Sequence, residues 1–468
     1  MLTYDLAMRG DQPIYVFIYQ QIKADILKGL IRTGTKLPSK RVLADHLKIS
    51  LITVENAYAQ LVLEGYVETV EKKGYYVSRL SAMPAVIGSG DNSPPQGAAA
   101  ATLSPDIDFS SNNICSGKFP FSVWARLLRE VLSEKDARLL EAAPFNGAYE
   151  LRLAIADYLR QFRGMQISPE QVIIGAGTEY LYSLIIQLLG RHSIYAIENP
   201  GYSKIAKVYT SNDVAYRSIN LDDHGLSVTG LWASDANIVH ISPSHHYPTG
   251  IAMPVGRRQE ILKWASERED RFIIEDDYDS EFRFAGRPVP TLQSIDSNQK
   301  VIYLNTFSKS IAPSIRISYM ILPPPLLSRF RIGLGFYACT VSSFEQLTLA
   351  KFIAKGYFER HLNRMRNYYR KLRDQVINTI VNSAHGKKIK ILEEDSGLHF
   401  LLKVSTRSSD RELVEKARLG GIRISCLSEY YREENQDDSR TIMINYSGLD
   451  YNLAAEAIRQ LLEIIEEN

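Results

Sequence analysis

Ile14, Ile18, Ile22 and Ile26 return at every fourth position near the start of the chain. That spacing lines one face of a helix, which Gly29 ends. Pro38-Ser39 opens a second helix through Leu43, Ala44 and Leu47, with Ser39 as its N-cap. Ser50 caps a third helix carrying Val54, Ala57, Tyr58, Leu61 and Leu63, which Gly65 breaks. Val67–Val70 and Tyr75–Val77 then flank Glu71-Lys72-Lys73-Gly74, the pattern of a β-hairpin with a basic tip.

Farther along, the apolar runs become short and β-like. Val172–Ile174, Ile194–Ile197, Ile238–Ile241, Phe272–Ile274 and Val301–Leu304 each end in polar or glycine-rich residues, with amphipathic stretches between several of them. This predicts an α/β domain: a mixed, mostly parallel sheet covered by helices, with functional groups at the C-terminal ends of strands. From about Phe330 the pattern is helical, including Tyr357–Arg373. His399–Lys403, Ile422–Ser425 and Ile442–Tyr446 then read as strands of a smaller C-terminal α+β lobe. Between the two patterns, residues 81–105 hold Pro84, Pro94, Pro95, Pro105 and the run Ala98–Ala101 with few large apolar side chains. Such a stretch buries too little surface to offset its ordering entropy and reads as a linker. The expected organisation is therefore residues 1–80, a linker over 81–105, and residues 106–468.

Composition changes this picture little. Hydrophobic residues make up 45% and charged residues 23% of the 468, as in soluble globular proteins. The net charge is +2, and residues 1–80 carry 11 Lys and Arg against 8 Asp and Glu, only a mild basic bias. Cys115, Cys339 and Cys426 lie far apart, which argues against a disulfide framework or a metal knuckle and for a reducing compartment. Residues 1–12 lack an apolar signal core, and no run of about 18 apolar residues offers a membrane span, so a cytoplasmic protein is expected.

Three helices and a wing within residues 1–80 predict a winged helix-turn-helix. In that arrangement the third helix lies in the major groove of double-stranded DNA, Lys72 and Lys73 meet phosphate or minor groove, and Lys40 and Arg41 hold the backbone. A winged helix used for protein contact is the alternative. The run Lys36-Leu37-Pro38-Ser39-Lys40-Arg41, then Ser50, Thr53-Val54, Ala57-Tyr58, Glu64-Gly65-Tyr66 and Gly74-Tyr75, resembles the GntR-type DNA-binding domain. Members of that family usually carry Arg directly after the serine of the turn; here Leu51 and Ile52 follow Ser50. Base reading is then expected to rest on Thr53, Asn56 and apolar contact with thymine methyl groups.

A second constellation gathers at predicted strand ends. Thr306-Phe307-Ser308-Lys309-Ser310, with Arg316 seven residues after the lysine, suits a Schiff-base amine beside a phosphate clamp. Alone, a Ser-Lys pair is more often a solvated surface feature. Phe272–Ile274 runs into Glu275-Asp276-Asp277-Tyr278-Asp279, offering a carboxylate for a pyridine nitrogen and a hydroxyl for a phenolic oxygen. Such an acidic cluster by itself also suits a metal site or a solvated loop. Gly175-Ala176-Gly177-Thr178 opens a helix whose N–H groups suit a phosphate, and Tyr202 could stack on an aromatic ring or simply fill a core.

In this order, and with Asn146-Gly147, Tyr149, Leu151-Arg152 and Pro248-Thr249-Gly250, these motifs resemble the fold-type-I pyridoxal-phosphate (PLP) enzymes of the aspartate aminotransferase superfamily. The Asn that usually precedes Pro-Thr-Gly is Tyr247 here. The resemblance implies that Lys309 carries PLP as a Schiff base, Asp276 pairs with the ring nitrogen and Tyr278 reaches the phenolic oxygen. It also implies that Gly177, Thr178, Ser308 and Arg316 hold phosphate.

A GntR-like reader joined to such a domain resembles the MocR/GabR regulators, to which the strings Ile273–Phe282 and Pro243–Gly250 are also similar. The resemblance implies a PLP-dependent transcription regulator acting as a head-to-tail homodimer, with the aminotransferase-like domain a sensor rather than a turnover enzyme, weak half-transamination aside. PLP itself or an amine is the implied effector. Family members that sense an amino acid grip its carboxylate with an arginine near the chain end. Here Glu429 aligns with that place, and Lys204 stands near Tyr202, which points away from γ-aminobutyrate. A working aminotransferase with an accessory N-terminal domain, and a regulator whose large domain has lost PLP, are the rivals.

Overall fold

A computed structural model describes residues 2–79, 107–111, 114–284, 289–384, 386–394, 397–432 and 439–466. The chain divides into two compact units, Met1–Thr102 and Leu103–Asn468. The stretch read as a linker, 81–105, lies outside the described residues.

In the first unit the four-residue isoleucine spacing becomes helix α1 (Ile14–Leu27), whose Ile18 and Ile22 are fully buried. They pack with Val54, Ala57, Tyr58 and Leu61 of α3 (Leu51–Leu63). Helix α2 (Lys40–Leu47) begins where the Ser39 hydroxyl accepts from Val42 N at 3.3 Å. Ser50 caps α3 in the same way, accepting from Thr53 N at 3.2 Å. Each cap satisfies an amide that the helix geometry leaves without a partner. The Tyr58 hydroxyl donates to Pro38 O at 2.9 Å, tying the third helix to the entry of the second. Strands β1 (Val67–Val70) and β2 (Gly74–Val77) pair antiparallel from Val67↔Val77 to Val70↔Gly74. Their turn needs positive φ at Lys72 (60°) and Gly74 (112°), which glycine tolerates well.

The second unit opens with β3 (Ile107–Asp108), which pairs parallel with β14 (Ile422–Arg423). Its main sheet runs through β4 (Val172–Gly175), β5 (Tyr195–Asn199), β6 (Tyr216–Asp222), β7 (Gly225–Leu226), β8 (Ile238–Ile241), β9 (Phe272–Asp276), β10 (Val301–Thr306) and β11 (Ser318–Ile321). The spatial order is β4-β11-β10-β9-β8-β5-β6-β7. Strands β10, β9, β8, β5 and β6 are mutually parallel, while β11 pairs antiparallel with both β10 and β4. Burial on both faces explains the unbroken apolar runs. Side chains alternate: Ile302, Leu304 and Ile274 pack beneath the helix Thr178–Leu189, and Val301, Ile273 and Val239 pack against Ile261 and Trp264 of Val255–Ser266. The predicted α/β sheet is thus present, and the smaller lobe holds β12 (Ile389–Leu392), β13 (His399–Val404), β16 (Thr441–Asn445) and β15 (Ser425–Cys426) in that order. Among the described residues no helix is long and apolar enough to cross a membrane.

Candidate functional sites: a winged helix and a lysine-centred cavity

On the first unit, Arg41, Ser50, Asn56, Lys72 and Lys73 are exposed, as are the apolar Leu51 and Ile52 on the first turn of α3. The Ser50 and Thr53 hydroxyls lie 2.7 Å apart, so Thr53 is partly committed to the cap. Lys40 is less free than its sequence position suggests. Its ammonium pairs with Glu55 Oε1 at 2.7 Å and lies 5.8 Å from the centre of the Tyr75 ring. Glu55 sits on α3, so this pair links the two helices of the reading motif; sequence reasoning passed over it, and a separation of fifteen residues carries no local signal.

In the second unit, the ends of β4, β5, β9 and β10 converge on a cavity of about 230 Å³ lined by Gly177, Thr178, Tyr202, Asp276, Tyr278, Ser308, Lys309 and Arg316, along with Lys204. Lys309 lies on the single helical turn Phe307–Ser310 directly after β10, started by Thr306, whose hydroxyl accepts from Ser308 N at 3.2 Å. Burial pushes the Lys309 amine down to about 7, against the opposing pull of Asp279. A fraction of the amine is then unprotonated near neutral pH, as condensation with an aldehyde requires.

Asp276 ends β9 with one oxygen committed and one not. Oδ2 accepts from the Tyr182 hydroxyl at 2.5 Å, with His240 Nε2 at 3.8 Å, whereas Oδ1 is buried with no hydrogen-bond partner among the described residues. A buried carboxylate oxygen in that state is costly unless a donor completes it, and a protonated pyridine nitrogen is such a donor. Tyr278 keeps its phenolic proton, since burial and then neighbouring Asp279 push its pKa well above the ordinary value.

The phosphate end is built on backbone. Helix Thr178–Leu189 starts at Gly177 (φ 97°) with no side-chain cap, and a Cβ there would come within 2.3 Å of the Arg316 guanidinium. Glu179, on its first turn, holds Arg316 at 3.0 Å and Lys204 at 2.9 Å. Those two contacts keep the Glu179 carboxyl near 2 despite partial burial.

Several neighbours carry no signal of their own in the sequence: Tyr182, Glu179 and His245. Tyr247 was read only as a departure, yet it lines the cavity, and its hydroxyl lies 3.0 Å from that of Tyr430. Glu429 stands apart from the other predicted site residues. Its carboxylate accepts from Cys426 N at 2.8 Å, closing a turn, and Glu429 is not among the cavity's lining residues. Its charge still bears on the Tyr247 and Tyr430 hydroxyls. His245, Asp279 and His399 lie within 4.8 Å of one another in the manner of metal ligands, but His245 Nδ1 already meets Asp279 and His399 Nε2 meets Pro248 O.

A winged helix and an aminotransferase-fold domain with a PLP-type lysine site define a DNA-binding regulator with a cofactor-binding domain. Residues 14–77 match the bacterial regulatory proteins of the gntR family, and residues 104–459 match aminotransferase class I and II. The chain is 39% identical to the uncharacterized HTH-type transcriptional regulator YdeL of Bacillus subtilis, over 96% of each chain. It is 31% identical to the probable rhizopine catabolism regulatory protein MocR of Rhizobium meliloti, over 97% of this chain and 94% of that one. It is also 30% identical to the pyridoxine biosynthesis regulator PdxR of Corynebacterium glutamicum, over 90% and 89%. Among solved structures, the multiple substrate aminotransferase of Thermococcus profundus matches with a TM-score of 0.69 at 25% identity, covering 78% of this chain and 93% of that one. The chain belongs to the MocR-type transcription regulators, with a GntR-family reader and an aminotransferase class I/II domain whose cofactor is PLP.

Proposed function

We propose that the protein senses PLP, or an amine presented to PLP, through Lys309, and that this changes its hold on an operator. The supporting observation is the half-used carboxylate of Asp276 beside a lysine whose amine is already partly neutral, in one cavity. When bound, PLP supplies an aldehyde and an electron-withdrawing ring. The chain's part is to hold it: Asp276 accepts from the ring nitrogen, Tyr278 donates to the phenolic oxygen, and Tyr202 covers the ring. Gly177, Thr178, Ser308 and Arg316 take the phosphate, and Lys204 stands at the effector side. Occupancy alters DNA affinity only by its differential affinity for two arrangements of the protein.

The reader is residues 1–80, the linker 81–105 and the sensor 106–468, in a cytoplasmic head-to-tail homodimer. On DNA, Arg41, Lys72 and Lys73 meet phosphates and Lys40 does so from its pair with Glu55. Ser50, Thr53 and Asn56 face the groove. Regulation rather than turnover is the main role, in keeping with the names of the regulators that match nearly the whole chain. The test is footprinting on DNA upstream of the protein's own gene, with and without PLP, for the wild type and Lys309→Ala. A PLP-dependent footprint lost in the variant is expected. A footprint indifferent to PLP and to the substitution overturns the sensing role. Sustained transamination with an amino donor and an oxo acid, without operator binding, would instead establish an enzyme.

A further inference from the structure

His245 stands beside the cavity rather than in it, and its ring is fixed from several sides. Its Nδ1 lies 3.0 Å from both carboxylate oxygens of Asp279 and 3.2 Å from the Tyr278 hydroxyl. The His399 ring packs against it with centroids 4.7 Å apart. Gly397 closes the remaining approach: a Cβ there would fall 1.9 Å from the imidazole Cε1. Both His245 and Asp279 are almost fully buried.

These contacts settle which atom carries the proton. An ionised carboxylate only accepts, so the atom facing both Asp279 oxygens carries the hydrogen. A nitrogen that donates to Asp279 cannot also accept from Tyr278; it can only share its hydrogen with the phenolic oxygen. Among the described residues, Tyr278 has no other hydrogen-bond partner for its hydroxyl. Its proton must then point elsewhere, and the cavity that Tyr278 lines is the open direction.

We propose that Asp279 and His245 form a positioning pair that orients the Tyr278 hydroxyl as a donor into the cofactor cavity. Asp279 holds the Nδ1–H tautomer, His245 presents that N–H to the phenolic oxygen, and the tyrosine proton is thereby aimed at the cofactor's phenolic oxygen. Neither residue touches the cofactor, so both act through Tyr278. Other charged or titratable groups face the trio. Asp276 and Glu198 bear on Tyr278, Lys309 on Asp279, and His399 on His245, while Arg163 and Arg283 line the far side. The test must separate the pair from them.

A donor at the phenolic oxygen draws negative charge from it. The proton shared between that oxygen and the nitrogen supplied by Lys309 is then released at lower pH. The readout is the pH midpoint of the cofactor's visible absorption in the full-length, PLP-loaded protein. His245→Phe, which keeps the ring and loses the N–H, is expected to raise the midpoint by about one unit, and Asp279→Asn by less. In a Tyr278→Phe background, His245→Phe should shift nothing further. His399→Gln, which disturbs the same ring without reaching Tyr278, should leave the midpoint in place. An unchanged midpoint in His245→Phe, or an equal shift in both backgrounds, overturns the proposal. Should His245→Phe load poorly, the downfield proton resonance of the Nδ1–H in the unloaded protein decides: its presence in the wild type and loss in Asp279→Ala support the pair, and its absence from the wild type refutes it. None of these readings depends on DNA binding, so the regulatory proposal can fail without affecting them.

Discussion

The reader and the cofactor cavity use polar groups in opposite ways. On the winged helix, Arg41, Asn56, Lys72 and Lys73 are exposed to water, and the unit is held by an apolar core in which Ile18, Ile22, Val54 and Leu61 are fully buried. In and around the cavity, burial shifts protonation itself: Lys309 down to about 7, Glu198 up to about 8, Tyr278 well above its ordinary value. The first surface works by charge available to a polyanion, and salt weakens it. The second works by groups withheld from water, where one missing partner is costly and salt has little reach. Substitutions should therefore divide cleanly by type.

The largest break comes at Lys309. Lys309→Ala removes the nitrogen that binds PLP covalently, so borohydride reduction should fix no cofactor, while cofactor-free operator affinity stays within about twofold because the reader is untouched. A large loss of cofactor-free DNA binding would show that the two units are not separable in this way. Next in size is Leu61→Ala. A fully buried leucine in a core this small costs about 2–5 kcal/mol, enough to melt the reader, abolish DNA binding and leave the cofactor spectrum intact. Calorimetry with two resolved transitions would show only the reader's moving.

Asp276→Asn sharpens the cavity's side of the contrast. A hydrogen bond to a charged group contributes about 1.5–3 kcal/mol, so PLP affinity should fall roughly 10- to 100-fold, measured by equilibrium dialysis, with little dependence on salt. Replacing Lys72 and Lys73 with alanine should do the reverse. Operator affinity falls, the slope of log affinity against log salt shrinks by about two, and PLP binding is unaltered. A slope that does not move would place the wing off the DNA.

How much of this was legible from sequence follows the same division. The reader's elements are local: a four-residue isoleucine repeat and two serine caps specify helices within a residue or two of those observed. In the large domain, strands buried on both faces show as apolar runs, and Gly177, Thr178, Asp276, Tyr278, Ser308 and Lys309 were readable because each sits just beyond such a run. Strand β6 was missed because five of its seven residues, from Tyr216 through Asp222, are exposed or only partly buried polar positions. Strand β11 was missed because four residues following the Arg316 turn leave no period to detect. Tyr182 meets Asp276 across ninety-four positions and His245 meets Asp279 across thirty-four, distances at which no pattern survives. The surroundings of Glu429 were hidden for a related reason: a short 3-10 turn, Leu427–Tyr430, turns its carboxylate to Cys426 N, while its neighbour Tyr430 bonds to Tyr247.

The smallest expected effect is a cancellation, and it separates the two regions by titration alone. In the folded cofactor-free protein Lys309 titrates near 7 rather than 10.5, so between those values the unfolded chain binds the extra proton and stability rises with pH. Glu198 titrates near 8 rather than 4.5, so between those values the folded chain binds the extra proton and stability falls with pH. Glu275 and Glu281, held near 7 by burial, add to that fall mainly below about pH 7. His246, pushed down to about 3, adds a rise that is largely complete by the same point. From about pH 7 to 8, Lys309 and Glu198 thus oppose each other, and the melting temperature of the large domain should be nearly flat. Glu198→Gln, which keeps an acceptor for Ser242 N, should expose a rise across that window, and Lys309→Met a fall. The reader's transition should ignore both substitutions. Matching slopes in the two variants would mean that neither buried group titrates where its surroundings place it.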